Sequence, residues 1–170
     1  MRIGYMTADG RGDMDLALHG LATRAAARGL RLCGTVQINS DCGEGRPCDM
    51  DVRILPDGPV IRISQSLGTG ARGCRLDPGA LEQAVAQTAA KLAAGCDLLI
   101  VNKFGKQEAD GRGFRGLIAE ALGADIPVLV GVNRLNLARF EAFTEGLAEP
   151  VAPDSGALDA WLTSLSRAPD

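Results

Sequence analysis

Apolar and polar positions alternate along this chain with two different periods. Leu98 to Val101, led in by Asp97, is a continuous apolar run that stops at Asn102-Lys103-Phe104-Gly105-Lys106. Such a run predicts a strand buried on both faces, as in the middle of a parallel sheet. Ile126 to Val132, IPVLVGV, is a second run of the same kind. Arg2 to Met6 predicts a short first strand, and Thr7 to Asp13, TADGRGD, a polar turn bearing two glycines. From Met14 to Arg28 the period becomes helical, with Leu16, Leu21 and Ala25 read as one side, and Gly29 ends the helix in the usual left-handed position. Leu30 to Gln37 returns to strand, with Leu30, Leu32, Gly34 and Val36 alternating against more polar neighbours.

The middle of the chain breaks this rhythm. Asn39 to Asp49 reads as a loop. Asp51–Leu55 and Val60–Ser64 flank Pro56-Asp57-Gly58-Pro59, which predicts a β-hairpin. Gln65 to Arg75, QSLGTGARGCR, is a second glycine-rich loop. Asp77 as N-cap and Pro78 in the first helical position start a helix that runs to about Ala94 and closes at Gly95. Further helices are predicted at about Phe114–Leu122, Leu135–Gly146 and Ser155–Ser166, the last with Leu158, Trp161, Leu162 and Leu165 on one face. Strands alternating with helices imply an α/β fold, a mostly parallel sheet with helices on both faces. The expected organisation is one domain over residues 1–166, with the antiparallel hairpin as a small insert at about 50–64 and a tail at 167–170.

Composition narrows the class. A chain of 170 residues is long enough for a full core. With 4% aromatics that core must be mainly Leu, Val, Ile and Ala. A net charge of −3 supplies no global basic field for nucleic acid or anionic lipid. No apolar run approaches the roughly 20 residues of a membrane span, and the start lacks the pattern of a signal peptide. A cytoplasmic location is therefore expected, with Cys33, Cys42, Cys48, Cys74 and Cys96 reduced.

Candidate chemistry lies where strands end, because ligands of open α/β sheets sit at the carboxyl ends of strands. Asn102, Lys103 and Lys106 follow the buried central strand, as anion ligands or as ordinary surface residues. The backbone amides of Gly10 and Gly12 could cradle an anion at a helix start. The same turn could equally be a plain connection with Asp13 as N-cap. In the second glycine loop, Gly70 lets amides turn inward, and Arg72 and Arg75 supply forks for an oxyanion around Cys74. A solvated basic loop is the alternative there. Gln37 ends the second strand. Cys42, Cys48 and Cys74 have no zinc-type spacing, and the single His19 supports neither a metal site nor a catalytic dyad.

The segments DLLIVNKFGKQEADGRGFRGLIAEALGADIPVL (97–129), ISQSLGTGARGCRLDPGALEQAV (63–85), CDM (48–50) and GLRLCGTVQ (29–37) resemble a bacterial domain family of unknown function. Its members are often encoded beside molybdate-uptake genes, so the resemblance implies molybdenum or tungsten handling. The strand and tail ending NKFGKQE are also distantly similar to a small P-loop nucleoside-triphosphatase family. In that family the strand-end Asp and Glu serve magnesium and the attacking water. Here those positions hold Asn102 and Lys103, and TADGRGD falls on the phosphate loop without its Lys-Ser/Thr. The resemblance thus implies a P-loop-like scaffold with degenerate nucleotide motifs and an anion pocket, most simply for molybdate or tungstate. Expected partners are that small anion and either a second copy of the chain or a protein of molybdenum metabolism, not nucleic acid or membrane. The alternatives are a nucleotide-dependent NTPase or transferase using Asp9, Asp13 or Glu108 for Mg²⁺, and a non-catalytic regulatory or scaffold module.

Overall fold

The structure is a computed structural model and describes residues 1–10, 12–39, 49–68, 70 and 75–165. In chain order the strands are β1 (Ile3–Met6), β2 (Leu32–Asn39), β3 (Met50–Ile54), β4 (Val60–Arg62), β5 (Leu98–Phe104), β6 (Val128–Val132) and β7 (Glu149–Pro150). The helices are α1 (Asp13–Ala27), α2 (Pro78–Ala93), α3 (Lys106–Ala109), α4 (Arg115–Gly123), α5 (Leu137–Phe143) and α6 (Ser155–Leu165), with a 3-10 turn at Arg134–Asn136. Among the described residues the strands make one sheet in the order β4-β3-β2-β5-β6-β1-β7. The ladder from β2 through β5, β6 and β1 to β7 is parallel, and the β3–β4 hairpin is antiparallel, added to β2. The fold is the expected α/β class. The expected antiparallel hairpin insert extends the main sheet beyond β2.

Strand alternation sorts the central residues onto two cores. Leu98 and Ile100 point into one, built with Leu18, Leu21, Ala22 and Ala25 of α1 and Leu158, Trp161 and Leu162 of α6. Leu99 and Val101 point into the other, with Leu81, Ala84 and Leu92 of α2, Leu117, Ile118 and Ala121 of α4, and Phe140 of α5. Both faces being covered, the continuous apolar run is what β5 requires. Gly34 has no substitute at its place in β2, because a β-carbon there would overlap the carbonyl of Ile100 on β5.

Helix ends follow their sequence signals. The N–H groups of Gly29 and Leu30 donate to the carbonyls of Ala26 and Ala25, with Gly29 at φ +83°, the paired bonds of a Schellman end. The Asp77 carboxylate accepts from the N–H groups of Gly79 and Ala80 at 2.9 and 3.2 Å. Several expectations are corrected. Leu16 is 72% exposed, and Leu18 takes the inner face in its place. The N-cap of α1 is Gly12 in the left-handed region, and Asp13 is the first helical residue. Leu30 precedes β2 rather than belonging to it. The helix expected from Leu135 is a 3-10 turn followed by the shorter α5. The two-residue β7 and the one-turn α3 carry no pattern long enough to read. Cys33 and Cys96, expected as free thiols, lie sulfur against sulfur with Cα atoms 6.1 Å apart. Burial brings them together at the start of β2 and just before β5.

Candidate functional site

Because β1, β2, β5 and β6 are parallel, their carboxyl ends share one edge of the sheet. The Thr7–Asp13 turn, Asn102 to Lys106 and the Asn133-Arg134 pair all leave strands there. The antiparallel pairing of Asn39 with Met50 returns Asp49 to the same edge.

Asn102 anchors this edge. It is 3% exposed, on the face shared with Leu98 and Ile100 and hence toward α1. Its side-chain oxygen accepts the Gln37 N–H at 2.8 Å. Its side-chain nitrogen donates to Asp15 Oδ1, also at 2.8 Å. One buried carboxamide therefore ties β5 to β2 and to the first turn of α1. The register then slips, since Val101 pairs with Val130 and Phe104 with Val132. Three steps on β5 against two on β6 make a bulge, which re-aims side chains. Phe104 turns into the core, its ring 5.2 Å from Phe140 and 5.8 Å from Phe143. Lys103 is left pointing out, and Lys106 opens α3, also exposed. Among the described residues neither lysine has a carboxylate within 4 Å.

The β1 turn has the opposite character. Thr7, Ala8, Asp9, Gly10, Asp13, Pro153 and Asp154 line an open cleft of about 530 Å³. The Asp13 carboxylate lies so close over Gly10 that a β-carbon there would overlap it. Asp9 is paired with Arg134 from the turn after β6. Gly10 thus shares the cleft with Asp13, Asp154 and the Arg134-paired Asp9, carboxylates that disfavour an anion beside them.

Arg75 reaches Asp49 at 3.4 Å, and Arg62 reaches Asp49 at 3.1 Å and Asp51 at 3.0 Å. Ser64 completes the cluster, donating to Asp49 at 3.2 Å and accepting the Met50 N–H at 3.0 Å. Arg75 thus stands beside a carboxylate at the outer end of the edge, separated from β5 by β2. Gly70 lies near it in sequence with φ +83°. Arg72, Cys74, Cys42 and Cys48 lie outside the described residues.

Glu108 is buried, 3% exposed. One of its oxygens accepts the Gly105 N–H at 2.9 Å and the other the Phe114 N–H at 3.1 Å. Burial pushes its carboxyl above the ordinary glutamate value, the two amide bonds partly offset this, and the nearby Glu82 charge adds to the rise. Both oxygens are engaged in holding the turn around α3. Sequence reasoning missed Asp15 as the partner of Asn102, and missed Arg134 altogether. The strand-end rule that marked Lys103 applies equally to Arg134, two residues beyond β6.

Comparison with known proteins agrees with this architecture. A family described as protein of unknown function (DUF2478) matches residues 3–161. The molybdenum import ATP-binding protein ModC 2 of Bradyrhizobium diazoefficiens is 37% identical over 154 residues, 91% of this chain. The chain spans 17% of the length of that relative. Among solved structures, that of a human cancer-related nucleoside triphosphatase superposes with a TM-score of 0.63 at 18% identity, covering 98% of this chain and 96% of the other. The scaffold is thus P-loop NTPase-like.

That fold implies Mg²⁺, held by the hydroxyl that follows the loop lysine and by a strand-end aspartate. Laid on this chain, the motif Gly-x-x-x-x-Gly-Lys-Ser/Thr puts Gly12 at its second glycine, Asp13 at the lysine and Met14 at the hydroxyl. Met14 is turned toward the sheet, where a β-carbon on Gly131 would meet its sulfur at 2.8 Å. Asn102 stands at the strand-end carboxylate and donates to Asp15. A thioether and an amide N–H are not ligands for a hard cation, so these residues do not fit magnesium. No group of three His, Cys, Asp or Glu side chains among the described residues could share a metal ion, and no helix among them is long and apolar enough to cross a membrane.

Proposed function

The chain belongs to this family of proteins of unknown function, and from that premise we propose that it is an oxyanion-binding domain of molybdenum or tungsten handling. The observation that carries the reading is the pair Lys103 and Lys106. They follow the buried central strand, they are exposed, and among the described residues no carboxylate neutralises them. A tetrahedral dianion needs compensating charge and several N–H donors. In this reading the lysines supply the charge. Arg75, at the outer end of the edge beside Asp49, supplies a further fork, and Asn102 and the Gln37 backbone hold the strand ends in place. The β1 turn, with its carboxylates, is a wall of the site rather than its cradle. The choice of molybdate or tungstate is supported by the Bradyrhizobium relative, in which a region similar to this chain shares one polypeptide with a molybdenum import ATP-binding protein. The partner that follows is a protein of molybdenum metabolism.

Thermal unfolding with molybdate, tungstate, sulfate, phosphate and Mg-ATP tests this directly. A ligand of the native state at about 100 times its Kd adds about 2.7 kcal/mol, a readily measured shift. Molybdate or tungstate is expected to raise the melting temperature, sulfate less so, and Lys103→Ala with Lys106→Ala to abolish the effect. Stabilisation by Mg-ATP alone, with hydrolysis, would replace this reading with an enzyme.

A further inference from the structure

We propose that the Asn102–Asp15 hydrogen bond takes the place that a divalent cation holds in P-loop folds, so that the carboxyl edge is assembled without metal and receives its anion as the free ion. The second half of this statement rests on the oxyanion reading; the first rests on geometry alone. In a magnesium-dependent site the cation bridges the first turn of the helix after β1 to the end of a neighbouring strand. Here the same two elements, α1 and β5, are bridged by the chain itself. Asp15 lies in the first turn of α1, Asn102 lies near the end of β5, and 2.8 Å separates donor and acceptor.

The amide is the residue type that makes this possible. Asparagine offers one face that accepts and one that donates. The accepting face holds the Gln37 N–H, and the donating face satisfies a carboxylate. An aspartate at 102 would accept from Gln37 equally well, but it would set two carboxylates about a hydrogen bond apart in a partly buried place. That arrangement requires a cation or a shared proton. Asn102 removes the need for either. The nearby residues agree with a metal-free junction: Met14 supplies sulfur packing where a ligating hydroxyl would stand, and Gly131 gives it room.

Three proteins separate this from a merely structural hydrogen bond: wild type, Asn102→Asp, and the exchanged pair Asp15→Asn with Asn102→Asp. Each is melted in chelator and with added Mg²⁺ or Mn²⁺. Wild type is expected to melt at one temperature in all three. Asn102→Asp is expected to fall by at least about 5 °C in chelator and to recover with metal. The exchanged pair restores one carboxylate and one amide, so it is expected to melt near wild type and to ignore metal. Stabilisation of wild type by Mg²⁺ would overturn the proposal. So would an Asn102→Asp protein as stable as wild type in chelator, or a loss that metal does not relieve and the exchange does not repair. If Asn102→Asp does not fold, the exchanged pair still decides: folded and indifferent to metal supports the clasp, unfolded overturns it. Titration of wild type with molybdate in chelator and in Mg²⁺ adds the ligand arm, where equal affinity is expected. Tighter binding in Mg²⁺ would overturn the free-ion statement. Absence of molybdate binding in both would overturn the oxyanion reading and leave the clasp to the melting data.

Discussion

Two charged side chains set opposite pH dependences. Glu108 is buried with its carboxyl raised above the ordinary value, chiefly by desolvation. Between the ordinary and the raised value the folded chain holds more protons than the unfolded one, so stability falls as pH rises through that window. Asp97 is the reverse. The Arg31 guanidinium and backbone N–H hold its carboxyl below the ordinary value, at 2.7 and 2.8 Å. Its contribution is present above the ordinary aspartate value and is lost as pH falls through the lowered one. Denaturant unfolding across the acid range is therefore expected to show two limbs. Glu108→Gln should flatten the upper limb only. It should also cost about 1–3 kcal/mol near neutrality, because an amide NH₂ then faces one of the two backbone donors. A variant with both limbs unchanged would remove Glu108 from this role.

At the scale of elements, the edge is shaped by what packs beneath it. Gly131 on β6 lies where a β-carbon would overlap the Asn102 carbonyl and crowd Met14 and Leu18. Gly131→Ala is expected to cost about 1–3 kcal/mol through overpacking, and to weaken anion binding by displacing the β5 end. Asp97→Asn, at the opposite, amino end of β5, is expected to lower the melting temperature by loosening its contacts with Arg31 and to leave binding alone. Calorimetric titration beside thermal melts would separate the two, and equal effects on binding would deny the edge its special geometry. Asp77 and Gly29 were legible in the sequence because their chemistry is local: a carboxylate facing its own helix, a glycine at its own left-handed turn. The two apolar runs were legible because burial on both faces leaves no polar positions. Leu16 was misplaced by simple arithmetic. At about 100° per residue it lies roughly 140° from Leu21, whereas Leu18, Leu21, Ala22 and Ala25 share a face. Arg134 on Asp9 and Asp15 on Asn102 could not be read, since each joins elements more than eighty residues apart. The site was legible as a place, the end of β5, and not as a network.

For the molecule as a whole, what matters is how charge is divided along one edge. The chain carries a net charge of −3, and much of its acid at this edge is gathered at the β1 turn on Asp9, Asp13 and Asp154. Lys103 and Lys106 stand beyond α1's start on the β5 side. An anion drawn to the lysines therefore feels a repulsive flank, which raises its Kd without touching it. Asp9→Asn with Asp13→Asn is expected to tighten molybdate binding roughly two- to tenfold at about 0.01 M ionic strength, where the Debye length is about 30 Å. At about 1 M, where it is about 3 Å, the gain should vanish. Lys103→Ala should weaken binding at both ionic strengths, because contact is screened far less than a distant field. Titrations of the three proteins at the two ionic strengths give the test. A gain from the aspartate pair that persists at high salt would mean that those carboxylates touch the ligand, and the anion would then belong in the β1 cleft.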